Sequence, residues 1–178
     1  VAGIDIDLMM KGAADAREAF AEGDVNTNDC YKYAAMRNIL YRKGKSVEMM
    51  ISYEPDYTLM NEWFKQLYGE SEGKDGKGIY PSSAVFSTDL HSLGQYIQAG
   101  QRNLFETVIS VEDNGVEFKI PHDPQNIDGL NFLSGVDLNK VKKTAMQGTL
   151  LAHVDGGVPN ILIEMKDRSA YSLGYLIY

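Results

Sequence analysis

The chain has 178 residues, 44% apolar and 24% charged with five prolines, which fits one globular domain and excludes a disordered or collagen-like chain. A net charge of −8 argues against nucleic acid or an anionic membrane as the main partner, because both need clustered Lys and Arg. The single cysteine, Cys30, excludes an intramolecular disulfide and argues against a thiolate metal site; the expectation for it is a small buried residue on a helix.

Asp5 or Asp7 can cap a first helix reaching about Phe20, with Leu8, Gly12 or Ala13, Ala16 and Phe20 on its inner face. A polar turn leads to a second helix from about Asp29 to Lys43, ended by Gly44. Val47 to Tyr53 is a short, nearly continuous apolar run and reads as a buried strand. Pro55-Asp56 opens a third helix whose Leu59, Met60, Trp63, Phe64 and Leu67 form an amphipathic stripe.

A Gly/Lys-rich loop follows, then a Ser-rich, strand-like segment (YPSSAVFST) and a short helix over Leu90 to Gln98. Phe105 to Val111 reads as a strand and Val116 to Ile120 as a further short one. Asp137 caps a helix with Leu138, Val141, Ala145 and Ala152 on one face, and Asn160 to Met165 is another strand before a terminal helix. Strands separated by helices of this length imply right-handed crossovers and an α/β fold.

No apolar run approaches the roughly 20 residues that span a bilayer, and no signal peptide is legible, so the cytoplasm is the expected compartment. The chain begins at Val1 within an apolar stretch and stops at Tyr178 within another, the expected look of a piece of a longer protein.

Glu70 lies near the end of the most amphipathic helix, one turn beyond Gln66 and on the same face, at the margin of the apolar stripe. A carboxylate at a core boundary is partly desolvated, which suits a general base. The same pattern also suits Glu70 and Glu72 as solvated charges at a helix end. Two residues apart on a helix, they face different directions and do not form a glycosidase carboxylate pair.

His91 follows a strand-like segment, at the kind of strand-to-helix turn where open α/β sheets bind ligands. His122 is expected in solvent, and His153 is expected to serve only as a helix-terminal charge. No metal-ligand spacing occurs, and the glycine-rich loop lacks the Walker order. Ser82, Ser83, Ser87 and Thr88 could hydrogen-bond a sugar or phosphate, although such clusters commonly just mark loops.

The stretch QLYGESEGKDGKG followed by FSTDLHSLGQYIQ resembles the active-site region of the bacterial phosphoglucose isomerase family. The resemblance extends over YAAMRNILYRKGK, RNLFETVISVE and QGTLLAHVDGGVPN, in order, and so spans nearly the whole chain. It implies a sugar-isomerase (SIS) domain over residues 1–178: a three-layer αβα sandwich with a mainly parallel sheet, incomplete at both ends. It further implies interconversion of glucose 6-phosphate and fructose 6-phosphate through a cis-enediol, without metal or organic cofactor.

Within the ESxGK context the family's proton-shuttling glutamate falls on Glu70, its ring-opening histidine on His91, and its substrate-contacting glutamine on Gln66. The resemblance implies a homodimer in which the histidine reaches the neighbouring subunit's site. The family's Gly-Gly-Arg motif, its phosphate-binding Ser/Lys/Thr loop and its FDQxGVE segment do not occur in this sequence, so the chain alone is expected to be inactive. A different reading is a non-catalytic SIS module that senses a phosphosugar, which would need neither a general base nor a ring-opening group.

Overall fold

The computed structural model describes residues 2–178. Four strands, Val47–Ser52 (β1), Tyr80–Val85 (β2), Leu104–Asp113 (β3) and Asn160–Asp167 (β4), form one sheet in the order β2-β1-β3-β4, with every neighbouring pair parallel. Parallel neighbours cannot be joined by hairpins, so each connection carries a helix. The helices are Ile6–Ala19 (α1), Asp29–Arg42 (α2), Thr58–Glu72 (α3), Gln95–Ala99 (α4), Leu138–Asp155 (α5) and Ala170–Ile177 (α6).

Alternation along the strands sorts the core into two layers. Met49 and Ile51 of β1 and Leu104 and Val108 of β3 pack with Phe86, Ile97 of α4 and Met146 of α5. On the opposite face Met50, Ile109 and Val111 meet Tyr57, Phe64 of α3 and Leu176 of α6, while Phe105 meets Tyr33 and Leu40 of α2. The result is the three-layer α/β sandwich that the chain pattern implies.

Local signals placed most helix starts. Asp5 accepts from the Leu8 N–H at 2.9 Å, Asn28 from Tyr31 at 3.1 Å and Asp137 from Asn139 at 3.0 Å. Gly12 and Ala16 are the buried residues of α1, as their size suggests, but Leu8 stays exposed. The reason is that α1 packs on α6 and not on the sheet. A Cβ on Gly12 would lie 2.0 Å from the Tyr171 carbonyl oxygen, and one on Gly174 would lie 1.9 Å from that of Met9, so the two backbones touch.

Other expectations about burial and local structure fail as well. Leu59, Trp63 and Leu67 of α3 are exposed, at 80, 40 and 45%, while Tyr57, Asn61 and Phe64 face the sheet. The helix carries apolar residues on two faces, and periodicity cannot choose between them. On α5 the buried residues are Met146 and His153 instead of the Ala-rich stripe, because the His153 ring pairs with Glu106 of β3. Val116 to Ile120 forms no strand; Lys119 makes only an isolated antiparallel bridge with Asp137. Cys30 is exposed, as the second residue of α2 on its outer side.

Candidate functional site

Gln66 and Glu70 stand one turn apart on α3, both exposed, with Gln66 Nε2 3.5 Å from Glu70 Oε1. Their face is continuous with the uncovered Leu59, Trp63 and Leu67. Glu70 is therefore not desolvated by this domain's own core, contrary to the expectation from the helix pattern. A shallow depression of about 430 Å³, lined by Lys65, Gly69, Gly73, Lys77 and Tyr80, lies beside this helix end.

His91 is also exposed and lies elsewhere. It sits in a π-helical turn, Leu90–Gly94, that begins after β2. Asp89 accepts from the Val85 N–H at 2.8 Å and so ties this turn to the carboxyl end of β2. Leu90 packs into the core layer shared with α4 and α5. Gly69, by contrast, adjoins Pro81 at the start of β2, on the α3 side. Glu70 and His91 thus occupy opposite faces of the sheet and opposite ends of a six-residue strand, which at ~3.3 Å per residue separates them by roughly 20 Å. Within one copy of the chain the two side chains do not meet.

The inner side of the same helix end holds a buried charged network that the chain pattern did not single out. Arg37 of α2 donates from Nε to Glu48 Oε2 at 2.6 Å, and its two terminal nitrogens reach the Glu72 carboxylate at 2.6 and 3.2 Å. Glu48, on β1, is fully buried; its Oε1 also accepts from Thr107 at 2.6 Å and from the Tyr33 hydroxyl. The Arg37 guanidinium lies 4.5 Å from the centroid of the Tyr68 ring and 5.4 Å from that of Tyr33.

Burial works against the Arg37 charge, yet Glu72 and Glu48 outweigh it and hold its pKa above the ordinary value. Burial, reinforced by the Glu48 charge, pushes the Tyr33 phenol up, so it stays a donor. One signal was available: a glutamate inside the apolar run VEMMIS requires a buried partner.

His153 is 3% exposed, and its Nδ1 lies 2.9 Å from both oxygens of Glu106, a buried β3 residue. Its role is therefore an internal tie between α5 and the sheet, and not a helix-terminal charge. His122 lies exposed in its loop, 3.4 Å from Ser134 Oγ. Ser82 and Ser83 belong to β2, and Ser87 and Thr88 are exposed in the turn before His91. No three His, Cys, Asp or Glu side chains among the described residues converge to hold a metal ion. No described helix is long and apolar enough to cross a membrane.

No family model matches the chain. Curated relatives named glucose-6-phosphate isomerase do. Those of Latilactobacillus sakei, Acetivibrio thermocellus and Enterococcus faecalis are 61, 58 and 56% identical to it, over the whole chain and 40% of their own length.

Two solved structures share the fold. A hypothetical protein of Thermus thermophilus matches with a TM-score of 0.88 at 22% identity, covering 98% of this chain and 42% of its own. A glucose-6-phosphate isomerase of Chlamydia trachomatis matches with a TM-score of 0.78 at 15% identity, covering 96% and 35%. The chain spans about two fifths of the curated relatives it matches, and along all of that span its sequence is similar to that of bacterial glucose-6-phosphate isomerases.

Proposed function

We propose that the protein containing this chain interconverts glucose 6-phosphate and fructose 6-phosphate, with Glu70 carrying the proton between C1 and C2 of a cis-enediol. Gln66, one turn away on the same exposed face, contacts the sugar, and His91 exchanges a proton with the ring oxygen as the ring opens. The whole-length match to enzymes of that name supports the reaction. The observation that carries the residue assignment is the free helix face on which Gln66 and Glu70 point outward together.

The separation of Glu70 from His91 supports a homodimer in which each copy lends its histidine to the other's site. A carboxylate abstracting a proton beside a carbonyl works best when partly desolvated, and Glu70 is exposed here. The remaining length of the full protein covers the α3 face and completes the site. Residues 1–178 form one SIS-type domain of that protein, and the cytoplasm suits its sugar-phosphate substrates. Purified as residues 1–178, the chain is expected to show no detectable turnover of fructose 6-phosphate in a coupled assay.

The deciding experiment is Glu70→Gln in the full-length protein. Turnover is expected to fall by at least about 10²-fold with sugar-phosphate affinity nearly intact. Retained turnover would overturn the assignment of Glu70. A wild-type protein that binds the sugar phosphate without isomerising it would instead favour the phosphosugar-sensing module.

A further inference from the structure

We infer that Arg37 is a positioning residue for Glu70, acting through Glu72 and Tyr68; the inference rests on the reading of Glu70 as the proton-transfer base. The last turn of α3 is electrostatically unfavourable by itself. It contains two glutamates and no basic residue, so negative charge gathers where the helix dipole is already negative and terminal carbonyls lack partners. Such an end frays, and a base mounted on it would lose its aim.

Arg37 reverses that situation from across the domain. Its guanidinium fork takes the Glu72 carboxylate with two hydrogen bonds and stacks on the Tyr68 ring. Tyr68 and Glu72 are four apart and share the inner face of α3, while Glu70, midway between them, projects to the opposite side. Gripping the inner face on both sides of Glu70 fixes the direction of the outer one.

The grip is itself rigid. Arg37 Nε is held at 2.6 Å by Glu48, which has no exposed surface and is fixed in turn by Thr107 and Tyr33. Beyond Glu72 the chain folds straight back: a Cβ on Gly78, at φ +109°, would lie 2.4 Å from the Glu72 carbonyl oxygen. The turn that carries the base is thereby wedged between a fixed cation and a tight loop.

Misplacing a catalytic group by about 1 Å costs on the order of 10²-fold in rate. The test uses three single variants of the full-length enzyme, Arg37→Met, Glu72→Gln and Glu70→Gln, with kcat, KM and hydrogen exchange of residues 69–73 read on each. Arg37→Met is expected to lower kcat about 10²-fold, with KM changed less than about threefold and the largest gain in exchange at the end of α3. Glu72→Gln keeps the Arg37–Glu48 bond and folds whether or not Arg37→Met does; a kcat loss of about tenfold is expected, with the same exchange signature.

Wild-type kcat in Glu72→Gln, while Glu70→Gln is dead, overturns the positioning role and leaves the reading of Glu70 standing. With kcat taken per folded active site, equal losses in kcat and affinity across the variants also overturn it, because a general structural defect weakens substrate binding along with turnover. Full activity in Glu70→Gln refutes the underlying reading, and the inference with it.

Discussion

Glu48→Gln isolates the energetic centre of the buried network. Glutamine retains an oxygen that can accept from Thr107 and Tyr33, but it turns an NH₂ group toward the Arg37 Nε–H, now 2.6 Å from Glu48 Oε2. The charge-assisted bond is lost and two donors face each other in a site where the Arg37 side chain is 8% exposed. Breaking one partner out of a buried pair costs about 3–5 kcal/mol; Arg37 keeps Glu72, whose side chain is 33% exposed, so the lower end applies.

The expected cost is therefore about 3 kcal/mol. At roughly 2–4 °C per kcal/mol for a domain of this size, Tm should fall by about 6–12 °C. Urea unfolding followed by circular dichroism measures the cost, and a cycle with Arg37→Met measures the coupling, expected to exceed about 1.5 kcal/mol. A cost below about 1 kcal/mol, or a coupling near zero, would refute the claim that this network holds α2, β1 and α3 together.

Three further outcomes follow from particular contacts. Gly12→Ala places a methyl 2.0 Å from the Tyr171 carbonyl oxygen and should cost about 1–3 kcal/mol; combined with Gly174→Ala the loss should be less than additive, since either change widens the same crossing. Denaturation curves at neutral pH check this, and additive losses would contradict a shared helix contact.

Asp167 is held down at about 2 by the hydroxyls of Ser169 and Ser172 and the Ser169 N–H, which it accepts at the start of α6. A depressed carboxyl stabilises the fold above its unfolded value near 4, and that contribution disappears as pH falls from about 4 to 2. Because the site is solvent-accessible it amounts to about 1 kcal/mol or less, and Asp167→Asn should flatten that part of the stability curve. Finally, mixing inactive full-length Glu70→Gln and His91→Ala subunits should restore about a quarter of wild-type turnover, since half of randomly formed dimers then contain one intact site. No recovery on verified subunit exchange would contradict a histidine shared between copies.

The elements of this fold were largely legible because their signals are local. Asp5 and Asp137 sit where a side-chain oxygen can take a free helix N–H, and Val47 to Tyr53 is too short and too apolar for anything but a buried strand. What failed was the choice of face. Helix α3 carries one apolar stripe for the sheet and another, through Leu59, Trp63 and Leu67, that its own domain leaves open. Both have the helical period, and only packing distinguishes them.

The site divides the same way. The family resemblance, carried by several segments in order, is what singled out Gln66, Glu70 and His91 together. It could not show that Glu70 and His91 lie on opposite faces of one sheet, because sequence separation says nothing of which side a crossover takes. Nor could it show why a glutamate interrupts VEMMIS, or that Arg37, distant from both Glu48 and Glu72 in the chain, joins them. Local rules act over one or two turns; a buried charge finds its partner wherever the tertiary fold brings one within about 3 Å.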